Sequence, residues 1–167
     1  TSAEFNFPSR MAMDAAGNNY ILEHLTQVIR KVSPAGLVTT VGQFPGTNCI
    51  TVGADNNIYA TSGFNINRIT PAGAISTFAG SSSSGFVDAT STAASFENPQ
   101  AITSDASGNI YVMDNFRLRK ITTTGIVTTL AGSGTSGYIN ATGAVAKFEH
   151  SNNGFFALTV DASGNIY

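Results

Sequence analysis

The chain has 167 residues, of which 42% are apolar and 11% charged, with 8 Lys+Arg against 10 Asp+Glu and a net charge of −2. That is enough apolar material for one globular domain, while so sparse and slightly acidic a charge offers no field to hold a polyanion, which makes nucleic acid a poor partner. No apolar run approaches the ~20 residues of a membrane helix, Thr1-Ser2-Ala3-Glu4 carries no signal-peptide pattern, and the single cysteine, Cys49, excludes an internal disulfide or a cysteine-rich zinc site and reads as a small buried thiol.

Along the chain one segment recurs four times: Asp14-Ala15-Ala16-Gly17-Asn18-Asn19-Tyr20, Gly53-Ala54-Asp55-Asn56-Asn57-Ile58-Tyr59, Asp105-Ala106-Ser107-Gly108-Asn109-Ile110-Tyr111 and Asp161-Ala162-Ser163-Gly164-Asn165-Ile166-Tyr167. After each of the first three tyrosines come a basic, β-branched run (28–32, 65–69, 117–121), a Gly-containing turn and a second β-branched run (37–41, 74–78, 126–130). Short β-branched runs parted by Gly, Asn and Pro predict strands joined by tight turns. In the third repeat the strands are expected at 101–105, 109–114, 117–122 and 126–131, with Ile110, Val112, Leu118, Ile126 and Leu130 facing the packing between units. Four antiparallel strands in 40 to 50 residues make the blade of a β-propeller.

Two Gly- and Ser-rich inserts lengthen the spacing and align with each other at an offset of 52: Gly80 to Thr90 against Gly132 to Thr142, each ending in Phe-Glu, at Phe96-Glu97 and Phe148-Glu149. Ala3-Glu4-Phe5 matches Ala94-Ser95-Phe96, the tail of such an insert. The expected organisation is a single propeller segment with blades at about 5–43, 46–80 and 96–132, inserts at 81–95 and 133–147, and a half blade at 148–167. Three and a half blades cannot close a ring, so further blades or self-association are expected.

Phe96-Glu97-Asn98-Pro99, the Asp105 to Asn115 segment and Arg117-Leu118-Arg119-Lys120-Ile121 together resemble the NHL repeat, and the resemblance covers essentially the whole chain. It implies an all-β propeller, commonly six-bladed, of a kind found in ligand-binding domains and in some lyases. The Gly-rich inserts ending in Ala-x-Phe look most like bacterial secreted or cell-surface members. The second repeat departs from the pattern, with Gly53 in place of the Asp and Asn56 in place of the turn Gly.

Three sets of residues invite chemistry. The aspartates Asp14, Asp105 and Asp161 could be read as a calcium column, but no D-x-D-x-D-G loop accompanies them and each precedes a turn whose N–H groups it can accept. The basic column Lys31, Arg68 and Lys120 could be read as an RNA-binding face; cross-strand pairing, with Glu23 and Asp114 as partners, suits the acidic balance better. His24 and His150 stand in non-equivalent places, and neither a Gly-x-Ser-x-Gly motif nor a set of metal ligands is legible, so no catalytic residue, metal or cofactor is assigned. The expectation is therefore a binding or scaffolding propeller for a protein or carbohydrate ligand, with Phe86, Asp88, Tyr138 and Asn140 of the inserts on the binding face. Few Lys and Glu amid abundant Ser, Thr, Gly and Asn suggest an extracellular or cell-surface protein, and Asn140-Ala141-Thr142 is a glycosylation sequon that matters only in a eukaryotic secretory setting. The alternative is a piece of a metal-dependent propeller lyase or lactonase whose site other blades complete.

Overall fold

In each repeat the Asp- and Gly-containing turns fold neighbouring β-branched runs back on one another, so every strand pairs with the next in sequence. The computed structural model describes residues 3–149 and 157–167. It forms three four-stranded antiparallel sheets: β1 (Pro8–Met13), β2 (Asn19–Glu23), β3 (Val28–Val32) and β4 (Val38–Gln43); β5 (Thr47–Val52), β6 (Ile58–Ser62), β7 (Asn65–Ile69) and β8 (Ile75–Ala79); and β9 (Pro99–Ser104), β10 (Ile110–Asp114), β11 (Arg117–Ile121) and β12 (Val127–Ala131). Two 3₁₀ turns, Ser91–Ala93 and Gly143–Val145, are the only helical elements among the described residues. At the C-terminal end Val160 bridges Ile166, the start of a further hairpin.

The first strands of adjacent sheets lie together, β1 against β5 and β5 against β9. They therefore line the axis, and the fourth strands form the outer rim. Side chains alternate across each strand, so every blade has two packing faces. Tyr20, Leu22 and Ile29 of the first blade meet Ile50, Val52, Ile58, Ala60 and Ile69 of the second. The second blade's other face, with Cys49, Tyr59 and Ile66, meets Ile102, Ile110, Val112, Ile121 and Val127 of the third. This is a propeller arc, as the repeats lead one to expect, and Cys49 is a buried free thiol within it.

Two expected core positions fall elsewhere. Ile110 and Val112 are fully buried, but Ile126 and Leu130 are 45% and 39% exposed. Ile126 precedes β12 and bridges Thr90 of the insert, at the rim. Leu130 matches Val41 and Phe78, which pack against the next blade; on its own side, among the described residues, the 157–167 hairpin follows.

Each blade carries two β-bulges at matching places. One lies at the start of the first strand, in the Pro8/Arg10, Thr47/Cys49 and Met113/Asp114 registers. The other lies between the third and fourth strands, beside Ile29/Arg30, Ile66/Asn67 and Leu118/Arg119.

Candidate functional site

The aspartate column does turn work. Asp105 Oδ1 accepts the Asn109 N–H at 2.8 Å, and its Oδ2 accepts the Asn109 amide at 2.7 Å and the Tyr111 hydroxyl at 3.0 Å. Asp14 repeats this with Asn18 and Tyr20, and Asp161 with Asn165 and Tyr167. Burial pushes the Asp14 and Asp105 carboxyls up, but the hydrogen bonds outweigh it and hold both below the ordinary range. In the second repeat Asp55, two residues further on, fills the same role toward Asn57 and Tyr59. Burial first, then Asp55, pushes the Tyr59 hydroxyl up to about 12. Among the described residues no group of three or more His, Cys, Asp and Glu is placed to hold a metal. His24 is exposed in the turn after β2, and His150 lies outside the described residues.

The basic column pairs with this tyrosine column. Lys31 lies 5.6 Å from the Tyr20 ring centroid and Lys120 5.8 Å from that of Tyr111, as their direct cross-strand registers require. Contrary to expectation, Glu23 and Asp114 do not partner these lysines. They hold the preceding residue in the strand, Arg30 (3.2 Å) and Arg119 (2.9 Å), because neighbours along a strand point to opposite faces.

Around Arg119 the first insert is fastened to the third blade. Arg119 is fully buried, as is Asp114. Its Nη1 donates to Asp114 and to the Ser95 carbonyl, and its Nη2 to Asp88 (2.8 Å) and the Val87 carbonyl (3.0 Å). The guanidinium lies between the Phe86 and Phe96 rings, 4.8 and 5.0 Å from their centroids. Asp88 also accepts the Thr129 N–H and hydroxyl. The Glu97 and Asn98 N–H groups donate to Asp114 Oδ1. Burial pushes the Asp114 carboxyl up, opposing the pull of these amides and of Arg119. Above this, Arg117 stacks on Phe86 at 3.7 Å and pairs with Glu97 at 2.7 Å. The insert hugs the outer strands: the Gly80 N–H donates to the Ser91 carbonyl, Ser91 to Gly125, and Val127 to Ala89.

Of the four residues the sequence points to, Phe86 and Asp88 thus meet on the rim around Arg117 and Arg119. Asp88 is engaged internally, whereas Phe86 keeps 42% of its surface exposed. Tyr138 and Asn140 occupy the matching places on the second insert, Tyr138 at 80% exposure. Arg117, Arg119 and Glu97 were not singled out as site residues; the signal was their position in the one complete blade that follows an insert. Separately, Arg10, Met11, Cys49, Ile50, Ile102, Ala157 and Leu158 line a cleft of about 260 Å³ between the first strands.

No family model matches this chain, and no curated protein is similar to it in sequence. Solved structures do share its fold. A protein of unknown function from Bacteroides thetaiotaomicron is 25% identical over 95% of this chain, with a TM-score of 0.82. An auxiliary nutrient binding protein from the same organism is 19% identical over 92% of it (TM-score 0.71), and a streptogramin B lyase 20% identical over 95% (TM-score 0.58). The chain spans 43%, 43% and 46% of those structures' own lengths. The fold is that of a β-propeller segment, and its neighbours include both binders and enzymes.

Proposed function

We propose that this chain is part of an NHL-type, exported or cell-surface propeller that binds a protein or carbohydrate ligand on its rim, through the solvent-exposed parts of the Phe86 and Tyr138 rings. The carrying observation is that both inserts present an aromatic side chain at the same place, still open to solvent even where, at Phe86, it is fastened down. A rigid aromatic plate on an ordered loop offers a large contact area at small entropic cost, and it suits a sugar ring or an apolar side chain. Asp88 and Asn140 serve this face by positioning the inserts. Neighbours named for nutrient binding support a ligand-binding role; likeness to a lyase supports the enzyme alternative only at the level of fold.

The test is a screen of the complete protein against glycans and candidate surface proteins, followed by Phe86→Ala and Tyr138→Ala. Each should weaken a discovered interaction about tenfold or more while the protein still melts in one cooperative transition. Unchanged affinity in both variants would move the binding face elsewhere, and turnover of streptogramin B by the complete protein would favour the enzyme.

A further inference from the structure

The two inserts have one internal architecture and two surroundings. In both, matching N–H groups donate to matching carbonyls, the first of them from the glycine immediately before the aromatic: Gly85 to Phe96 and Gly137 to Phe148, Gly80 to Ser91 and Gly132 to Gly143, Ala94 to Ser91 and Ala146 to Gly143. Val87 bridges Ser95 as Ile139 bridges Lys147. The second insert is therefore already shaped. The first insert additionally takes three guanidinium hydrogen bonds from Arg119, at Val87, Asp88 and Ser95, two from Thr129 and one from the Val127 N–H of the fourth strand; the fourth guanidinium bond of Arg119 goes to Asp114 of the blade itself. Phe96 ends at 0% exposure, while its counterpart Phe148 is only partly buried and Tyr138 stands almost free.

The arginine follows the insert from blade to blade. The first blade begins with the insert-tail residues Ala3-Glu4-Phe5, and there Arg30 donates to the Glu4 carbonyl at 3.2 Å, lies 5.5 Å from the Phe5 centroid and pairs with Glu23. These contacts match Arg119 with Ser95, Phe96 and Asp114. The second blade follows the first with only Phe44–Gly46 between strands, and it has Asn67 and Ser62 at the two places. The chemistry accounts for the association. A buried guanidinium needs acceptors for several N–H groups, and without an insert the blade supplies no carbonyls or aromatic rings to receive it.

We propose that residues 137–149 are a preformed docking element for a fourth blade of this same protein, the one that the 157–167 hairpin begins, whose third strand carries an arginine seated on a carboxylate of its second strand. Docking would sandwich that guanidinium between Tyr138 and Phe148 and take the Ile139 and Lys147 carbonyls as acceptors, as Val87 and Ser95 serve Arg119. Asn140 replaces Asp88 with a neutral acceptor, so this attachment is weaker than the first. The choice of occupant rests on the repeat itself and on the matched structures, which are more than twice as long as this chain.

The test uses protein made from the complete reading frame. Arg119 lies eight residues after Tyr111 and Arg30 ten after Tyr20, with Asp114 and Glu23 each three after their tyrosines. An acid three residues beyond Tyr167 and an arginine eight to ten beyond it are expected. Changing that arginine to Met should speed amide exchange across 137–149 about tenfold without changing it in 85–95, and Asn140→Asp, which leaves the core untouched, should slow it. Absence of the arginine, exchange in 137–149 that neither variant alters, or protection that rises with protein concentration, meaning that a second copy supplies the socket, would each overturn the proposal.

Discussion

The first turns of the second and third blades perform one task with differently placed residues. In the third blade Asp105 opens the turn and Gly108 takes the left-handed conformation at φ 83°; in the second, Gly53 opens it, Asn56 takes that conformation at φ 61°, and the carboxylate comes from Asp55. Both carboxylates end 3.0 Å from the hydroxyl of the blade's tyrosine. A fixed point in space, where an acceptor meets the tyrosine hydroxyl and the turn amides, is what the fold requires, and two sequence positions can reach it. Gly53 is then obligatory for a steric reason: a Cβ there would sit 2.6 Å from the Tyr59 ring and 2.8 Å from Asp55 Oδ1.

The largest effect should come from removing the shared partner. Tyr59 and Tyr111 are 5% and 6% exposed, so Tyr59→Ala and Tyr111→Ala should each cost about 3 kcal/mol or more in denaturant unfolding. Equal costs would support equivalence; a normal melt together with lost ligand binding would make the column functional. Next comes the exchange of one turn for the other. Gly53→Asp, although it restores the residue of the other three repeats, should destabilise by about 2 kcal/mol through overpacking. The triple change Gly53→Asp, Asp55→Ser, Asn56→Gly should return stability to within about 0.5 kcal/mol of the parent. A harmless single change would show that the Asp55 carboxylate is not fixed where the structure has it.

The smallest effect is in pH. The Asp55 and Asp105 carboxyls, pushed up by burial, are held on balance below the ordinary range by their Asn and Tyr partners. A depressed folded value stabilises the fold above the unfolded value near 4 and loses that contribution as pH falls through the folded value. Thermal melts from pH 5 to pH 2.5 should therefore fall less steeply for Asp105→Asn than for the parent. Parallel curves would mean that the carboxylate charge contributes nothing at this turn.

The blade was legible because its signals are local: alternation, turn glycines and a tyrosine at a constant distance from them. Asp14, Asp105 and Asp161 were readable as turn acceptors for the same reason. Asp55 was not, since its equivalence to Asp105 exists only after folding. The partners of Glu23 and Asp114 lay one residue from those expected, because strand parity decides the face and the sequence shows the charge without the register. The role of Arg119 was the least legible. Its acceptors at Val87, Asp88 and Ser95 lie 24 to 32 residues away, and two of the four are backbone carbonyls, which carry no residue code.

The bulge beside the outermost strand of every blade bears on how the molecule avoids fibrils. Val41, Phe78 and Leu130 are the extra residues there, so β4, β8 and β12 each break their ladder near one end instead of offering a long straight row of free amides. Flat edges are templates on which further strands add, and a bulge twists the edge out of register with any newcomer. The exposed Thr39, Thr40, Thr77 and Thr128 of these strands would otherwise form β-prone, uncharged margins, in a protein with few lysines to repel a second copy. Deleting Leu130, the exposed one of the three, would straighten the margin, and the loss would be felt first as precipitation during refolding, while the melting temperature of whatever stayed in solution changed little.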